Sequence, residues 1–92
     1  MRLDGCVAIV TGSASGVGAA TARMLAARGC RVVVNYTRSE AEADAIRSAC
    51  VAAGADAMLC RAEFADETDC RRMVAAAVDR GGRLDALVNS AG

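Results

Sequence analysis

Four short runs of apolar residues alternate along the chain with three longer segments in which apolar or small residues recur every three or four positions. The runs, rich in Val, Ile and Leu, are typical of β-strands buried on both faces, whereas the longer spacing is typical of amphipathic helices. The predicted strands are 7–10, 31–35, 57–60 and 84–89. Strands that alternate with helices predict a parallel sheet with right-handed crossovers.

The three helices have recognisable ends. The first covers 16–28, and its spacing predicts an inner face of Val17, Ala20, Thr21, Met24 and Leu25. The second has Ser39 as its N-cap and ends near Ala53, and the third follows Asp66 and ends at Gly81 and Gly82. The predicted inner face of the third helix consists of Cys70, Met73, Val74, Ala77 and Val78.

Composition narrows the class of protein. With 92 residues, 54% hydrophobic and 2% aromatic, the chain predicts one compact α/β domain over 1–92 with a core of small side chains. The net charge is +0 and like charges are not clustered, so nucleic acid and anionic membranes are poor candidate partners. No spanning segment or signal-peptide pattern is found, and we expect a soluble, cytoplasmic protein.

The five cysteines form no C-x-x-C motif, and the sequence contains no histidine. We therefore predict no metal site, and we interpret the cysteines as small apolar residues in a reducing compartment. A redox-sensing thiol is the alternative interpretation.

A glycine motif directly follows the first strand and opens the first helix, over residues 11–18. Gly12 can form the tight turn, Gly16 can let a pyrophosphate approach the main chain, and Gly18 can let the helix lie close to the sheet. The motif therefore predicts a dinucleotide site, and a structural turn that binds nothing is the alternative.

Two competing motifs are excluded by single residues. A P-loop requires a lysine, and the sequence has none. A nucleophile elbow requires Ser midway between the glycines, where Ala14 stands, and a Ser-His-Asp triad requires a histidine.

The spacing T-G-x-x-x-G-x-G resembles the glycine motif of short-chain dehydrogenases/reductases, and Leu84–Gly92 resembles the fourth strand and N-N-A-G ending of that family. The resemblance implies that 1–92 is a partial NAD(P)-binding domain, the N-terminal half of the family's fold. Its Rossmann-type sheet has the order 3-2-1-4 and is truncated after the fourth strand, and Asn89 is assigned to holding the sheet together. Ser90 departs from the family's second Asn. The cofactor contacts that the resemblance implies at these two motifs are Gly12, Ser13, Ser15, Gly16, Val17, Gly18, Asn89, Ala91 and Gly92.

The resemblance also implies an adenine contact after the third strand, where the family usually has Asp followed by an apolar residue. Glu63 and Phe64 occupy this place, and Glu63 has one methylene more than Asp. A solvated loop acid is the alternative interpretation of Glu63.

The end of the second strand bears on the choice between NAD and NADP. An NAD site usually has an acidic residue there, which would repel a 2′-phosphate, whereas this chain has neutral Asn35 and then Arg38 and Ser39. We therefore predict NADP, with these three residues in the site, and NAD as the less favoured cofactor. The segment 34–39 also resembles that of β-ketoacyl carrier protein reductases, which use NADP. A solvated Arg38 is the alternative.

Catalysis in the family requires a Ser and a Tyr-x-x-x-Lys pair. The single tyrosine, Tyr36, is followed at the fourth position by Glu40, and there is no lysine. We therefore assign no catalytic residue, and we expect an inactive N-terminal part of an oxidoreductase. A nucleotide-binding module and a non-functional remnant are the alternatives. The fourth strand would be an open edge, so we expect self-association or pairing with a C-terminal half.

Overall fold

The computed structural model describes residues 3–12 and 16–89 of the chain. Strands and helices alternate throughout these residues, as the hydrophobic pattern predicts. The strands are β1 (Val7–Thr11), β2 (Arg31–Tyr36), β3 (Ala57–Arg61) and β4 (Ala86–Asn89), and the helices are α1 (Gly16–Ala27), α2 (Glu40–Ala52) and α3 (Glu67–Gly81).

The four strands form one parallel sheet of order β3-β2-β1-β4, which confirms the predicted topology. The chain runs outward from β1 through β2 to β3 and then crosses back to place β4 on the other side of β1. Between β1 and β4 the strand order therefore reverses. In open α/β sheets, ligands bind at the carboxyl ends of the strands beside such a reversal.

Small side chains on both faces of the sheet allow the helices to lie close to it. One core cluster joins Val10, Val32 and Val34 of the sheet to alanines of α1 and α2, and the other joins Val7, Ile9 and Val33 to Met73 and Ala77 of α3. At the end of α3 the packing is tight, because a Cβ on Gly81 would lie 2.5 Å from Val7 Cγ2. The sheet is thus covered by α1 and α2 on one face and by α3 on the other.

The inner face of α1 differs from the predicted one, which was wrong. Its buried residues are Gly18, Ala19, Ala22 and Ala26, whereas Val17 is 77% exposed and Met24 is 51% exposed. Alanines occupy the buried face because α1 packs against both β2 and α2, where larger side chains would hold the backbones apart. Of the predicted face, Leu25 packs on the core from a half-buried position.

The inner face predicted for α3 agrees better with the structure. Met73 and Ala77 are buried, Cys70 and Val74 are half-buried, and Val78 is 41% exposed. The predicted N-caps of α2 and α3 are confirmed: the Ser39 and Asp66 side chains accept hydrogen bonds from Glu42 N and Asp69 N.

Strand β4 begins at Ala86, two residues later than predicted, because Asp85 makes a different link to β1. Its main-chain N–H donates to Val7 O at 2.9 Å, and its carboxylate accepts from Val7 N at 2.8 Å. The bond from Val7 N to the carboxylate, together with the hydrogen bonds from the Arg83 side chain, holds the pKa of Asp85 below its ordinary value. Strand β2 ends one residue later than predicted, because Tyr36 pairs with Arg61.

The helices described within 3–12 and 16–89 are all too short or too polar to cross a membrane.

We predict that the stability of the fold declines as the pH rises above about 9. Burial raises the pKa of the Cys30 thiol from 9.0 to about 11, and it also raises the pKa values of Cys50 and Cys60. These thiols ionise first in the unfolded chain, and this ionisation stabilises the unfolded state. The free energy of unfolding therefore falls by at most about 1.4 kcal/mol per pH unit for each thiol. Urea unfolding at pH 8, 9 and 10 measures this decline.

Replacement of Cys30 by Ala removes one of the three thiols and should make the decline shallower. Equal unfolding free energies at pH 8 and pH 10 would contradict the prediction.

Candidate functional site

The predicted site residues come together at the carboxyl ends of the parallel strands. Thr11 and Gly12 lie where β1 ends, Thr37 to Ser39 follow β2, Ala62 to Phe64 follow β3, and Asn89 ends β4. Because all four strands run the same way, these segments share one edge of the sheet.

The side-chain amide of Asn35 joins three strands at this edge. Its Oδ1 accepts from Gly12 N at 3.2 Å, and its Nδ2 donates to Cys60 O at 3.2 Å and to Ala62 O at 3.1 Å. Asn35 is 2% exposed. The amide is therefore bonded to the protein, where it links Gly12 to the end of β3, and the place of Asn35 in the cofactor site stays a prediction.

The glycine turn after β1 has a backbone that favours glycine. Gly12 has a φ of 62° and Gly16 a φ of 60°, both in the left-handed region. Among the described residues other than its chain neighbours, no heavy atom lies within 4 Å of the place where a Cβ on Gly16 would stand. Helix α1 begins here without an acidic residue in its first turn, so its positive end is not neutralised locally. Space, backbone and charge at this turn fit a phosphate group.

Val17 and Gly18 lie on opposite sides of the first turn of α1. The Val17 side chain is among the most exposed apolar groups in the described part of the chain, whereas Gly18 is buried against the sheet. Gly18 thus occupies the close-packed position that the motif predicts for the third glycine.

Thr11 and Asn89 link β1 to β4 at the same edge. The buried Thr11 hydroxyl lies 3.1 Å from Asn89 Oδ1 and 3.3 Å from Val88 O, so its single proton is shared between two acceptors. Val10 pairs with Val88 and Thr11 with Asn89 in the parallel register. Asn89 therefore contacts β1 through its side chain, in agreement with a role in holding the sheet together.

At the end of β2 the Tyr36 side chain is hydrogen-bonded, whereas in the segment that follows the Arg38 side chain has no partner among the described residues. The Tyr36 hydroxyl donates to Glu40 Oε1 at 2.8 Å, and this bond is the main cause of the raised pKa of Tyr36. Arg38 is exposed and makes no hydrogen bond or ion pair with any residue in the described ranges. Ser39 caps α2 through its Oγ, which accepts from Glu42 N at 3.3 Å.

The loop after β3 is held by the first turns of α3. Asp69 accepts from Glu63 N at 2.8 Å, which is the main reason that the pKa of Asp69 is lowered, and Arg72 donates to Arg61 O at 2.7 Å. Glu63 is exposed, and its carboxylate has no partner among the described residues. The half-buried ring of Phe64 packs on the core.

A polar cleft of about 330 Å³ lies outside this loop. It does not include Gly12, Gly16 or Arg38, so it is separate from the glycine turn. Its lining consists of Thr37, Arg61, Ala62, Glu63, Asp69 and Arg72.

Four predicted contacts, Ser13, Ser15, Ala91 and Gly92, lie outside the described residues. Within the ranges 3–12 and 16–89, no three His, Cys, Asp or Glu side chains are grouped as metal ligands.

Our sequence reasoning missed the bridging role of Asn35 and the bond between Asp69 and Glu63 N. A signal for the first was present, because a polar residue within a buried β-branched strand needs hydrogen-bond partners inside the protein. The bond between Asp69 and Glu63 N could not be predicted, because the sequence shows only an acid in the first turn of a helix, where acids are common.

Comparison with known proteins supports the expected resemblance. The family profile described as short chain dehydrogenase matches residues 6–92. The chain is 48% identical over 91 residues to an uncharacterized oxidoreductase of Methylorubrum extorquens, covering 99% of this chain and 37% of that protein. It is 50% identical over 86 residues to a putative ketoacyl reductase of granaticin polyketide synthase from Streptomyces violaceoruber, covering 94% of this chain and 33% of that protein.

A solved structure shows the same fold. The crystal structure of a short chain dehydrogenase from Burkholderia cenocepacia in complex with NADP superimposes with a TM-score of 0.94 at 40% identity, and the match covers 100% of this chain and 38% of that one. The chain thus spans about a third of the length of the relatives that it matches.

We predict that Asn35→Leu destabilises the fold by about 2 to 4 kcal/mol, because it leaves three main-chain groups, Gly12 N, Cys60 O and Ala62 O, without their partner. Urea unfolding measures the loss. Asn35→Asp keeps the acceptor for Gly12 N but places a carboxylate opposite two carbonyl oxygens. It should also destabilise the chain at pH 7, and less so at acidic pH, where a protonated carboxyl regains one donor.

The exposed substitution Ser48→Ala on α2 is the control and should change stability by less than about 0.5 kcal/mol. An Asn35→Leu chain as stable as the Ser48→Ala chain would show that the amide bonds do not hold this edge.

Proposed function

Because the chain belongs to the short-chain dehydrogenase/reductase family, we propose that it is the adenosine-binding part of an NADP-dependent oxidoreductase. The observation that carries the proposal is the glycine turn at the carboxyl end of β1. There, Gly12 and Gly16 have left-handed backbones, and no heavy atom of the described residues beyond its chain neighbours approaches the Cβ position of Gly16. Helix α1 also starts there without an acidic residue in its first turn. A pyrophosphate would accept hydrogen bonds from main-chain N–H groups at this helix start.

The 2′-phosphate of NADP would be bound by Arg38. This side chain is exposed and unpaired among the described residues, so no existing bond has to be broken to reach the ligand. The end of β2 itself carries no acid, because Asn35 and Tyr36 are both neutral, and the first acid after it along the chain is Glu40 in the first turn of α2. Ser39 would contribute by starting α2 beside Arg38.

The adenine would lie near Glu63 and Phe64. The Glu63 carboxylate is exposed without a described partner and can accept from an adenine amino group, while Asp69 fixes the main chain at Glu63. Since the Phe64 ring packs on the core, we propose that Phe64 contributes to the site through its main chain and by shaping the wall beside the adenine. Asn89 would complete the site from β4, with Ser13, Ser15, Ala91 and Gly92 proposed as further contacts.

When bound, the nicotinamide cofactor would carry the hydride, which its reduced form gives to a carbonyl carbon and its oxidised form takes from an alcohol carbon. This chain contributes binding of the adenosine half, and we assign it no proton-transfer group. Its single tyrosine is bonded to Glu40, and its sequence contains no lysine that could lower a tyrosine pKa. We propose that the chain alone binds nucleotide without turnover. A cytoplasmic location fits its five free cysteines, which a reducing compartment would preserve.

The open side of β4 is the proposed pairing surface. Ala86 and Leu87 are exposed, Leu87 at 49%, although β4 pairs with β1 on its other side. An exposed strand with an apolar residue readily accepts a further strand. We propose pairing with a C-terminal half of a similar reductase, or self-association where no such partner is present.

We predict that the chain binds adenosine 2′,5′-bisphosphate more tightly than AMP, and that Arg38→Asp reverses this order. Loss of a charge-assisted hydrogen bond together with a new repulsion should weaken binding of the bisphosphate by roughly 1.5 to 3 kcal/mol. Isothermal titration calorimetry with both ligands measures the preference.

Arg71→Asp is the matched control, because it makes the same charge change at an exposed arginine on α3. It should leave the preference for the bisphosphate unchanged. Equal affinities of the wild-type chain for the two ligands would refute the role of Arg38, and no binding of either ligand would refute the nucleotide site.

We predict that the chain alone is oligomeric or only partly folded, and that co-expression with a C-terminal half containing the Ser and Tyr-x-x-x-Lys residues gives a discrete complex. Light scattering gives the mass, and NADPH oxidation with a ketone tests for restored activity. Leu87→Arg places a charge at the open edge and should reduce both self-association and complex formation.

A monomeric wild-type chain with a sharp, reversible thermal transition would instead favour a nucleotide-binding module that needs no partner. An absence of any cooperative transition, alone or with the partner, would favour a non-functional remnant. NADPH oxidation by the repurified chain alone would contradict the proposed lack of turnover.

A further inference from the structure

Two of the five cysteines stand side by side at the amino ends of β1 and β2. Val7 pairs with Arg31 at the start of the parallel ladder, and Cys6 and Cys30 directly precede these two residues. The Arg31 N–H donates to Cys6 O at 2.8 Å, so the ladder continues up to the cysteines. Cys6 and Cys30 are therefore opposite each other, one step before the first strand pair.

This placement fits the geometry of a disulfide. Neighbouring strands lie about 4.8 Å apart, and disulfides join Cα atoms separated by roughly 4.4 to 6.8 Å. Residues opposite each other in a parallel pair also direct their side chains to the same face of the sheet. Cys6 and Cys30 thus share a face, and both lie just outside the rigid part of their strands, where the chain can adjust.

The surroundings of the two thiols differ. Cys30 is 2% exposed, and burial raises its pKa to about 11, with smaller contributions from Cys6 and Asp85. Cys6 is half-buried and contributes, after the dominant bond to Asp85, to the raised pKa of Arg83. The more accessible thiol, that of Cys6, therefore lies opposite the buried thiol of Cys30.

We propose that Cys6 and Cys30 are a redox pair that forms a reversible disulfide in the folded chain. A hydroperoxide is the oxidant. The Cys6 thiolate attacks the terminal peroxide oxygen, the O–O bond breaks, and the alkoxide leaves and takes a proton, which yields a sulfenic acid on Cys6. The Cys30 sulfur then attacks the Cys6 sulfur; the S–S bond forms, the S–O bond breaks, and hydroxide leaves with the Cys30 proton as water. Two thiols are oxidised as the hydroperoxide is reduced to an alcohol.

The disulfide would strengthen the fold without altering the proposed cofactor edge. It closes the loop 6–30, which contains β1, α1 and the glycine turn, and so restricts the unfolded chain. Cys6 and Gly12 lie at opposite ends of β1, roughly 20 Å apart along an extended chain. Oxidation should therefore raise the melting temperature by about 10 °C and leave nucleotide affinity unchanged.

The other cysteines are placed differently. Cys50 lies in α2, where its Sγ is 3.7 Å from Ala22 O, Cys60 lies inside β3, and the Cys70 thiol donates to Phe64 O at 2.9 Å. None of the three directly precedes a strand beside another cysteine. They serve as internal controls for selectivity.

Peptide mapping after mild oxidation tests the proposal. The chain is treated with one equivalent of tert-butyl hydroperoxide in native buffer, acid-quenched, alkylated in denaturant and digested with trypsin. Cleavage after arginine places Cys6 in peptide 3–23 and Cys30 in peptide 29–31, while Cys50 and Cys60 share 48–61 and Cys70 is in 62–71. We expect the cross-linked pair 3–23 with 29–31 as the main oxidised product, and its loss after treatment with dithiothreitol.

Cys6→Ser and Cys30→Ser should each abolish this cross-link and the rise in melting temperature, whereas Cys50→Ser and Cys70→Ser should preserve both. The same oxidation in 8 M urea, a condition in which the chain has no native register, should yield a mixture of pairs. A native chain that gives the same mixture as the urea sample, intermolecular dimers, or over-oxidised Cys6 without a cross-link would overturn the proposal.

Discussion

The side-chain amide of Asn35 is the interaction on which the carboxyl edge of the sheet depends. It lies in the strand next to β1, it is buried, and it bonds to the main chain of both neighbouring segments, at Gly12 on one side and at Cys60 and Ala62 on the other. A buried amide is expensive to leave unbonded, so the ends of β1 and β3 are held where the amide requires them. Gly12, the first residue of the glycine motif after β1, is therefore held in place by the protein itself.

The rest of the architecture follows from close packing of small residues. Alanines on α1 and α2 let both helices lie against the same face of the sheet, while Met73 and Ala77 of α3 fill the other. Helices α2 and α3 carry their own caps and acidic first turns, so their starts are stabilised locally. Helix α1 instead starts at a left-handed glycine, and no acidic residue in its first turn complements its positive end.

Much of the fold could be predicted from the sequence, because buried parallel strands and capped helices have strong local patterns. All seven elements and the strand order were predicted, the order with the help of the family resemblance. The inner face of α1 could not be predicted from hydrophobicity, since Val17 and Met24 are larger and more apolar than the alanines that the close approach to the sheet selects. The start of β4 and the role of Asn35 depend on partners far away in sequence, at Val7 and at Gly12, Cys60 and Ala62, which no local pattern indicates. The chemical roles of Arg38 and Glu63 remain predictions, which their free side chains support.

We have proposed that nucleotide binds at the carboxyl edge, between the glycine turn and the end of β2. An amide NMR titration of the uniformly ¹⁵N-labelled chain with NADP⁺ tests this most directly, because it locates the ligand residue by residue. We expect progressive, saturable shifts at Gly12, Gly16 to Gly18 and Arg38, and smaller shifts at Glu63. The amides at the opposite edge, at Cys6, Arg31 and Gly82, should not move. Shifts confined to the amino edge, or no saturable shift at the glycine turn, would contradict the account.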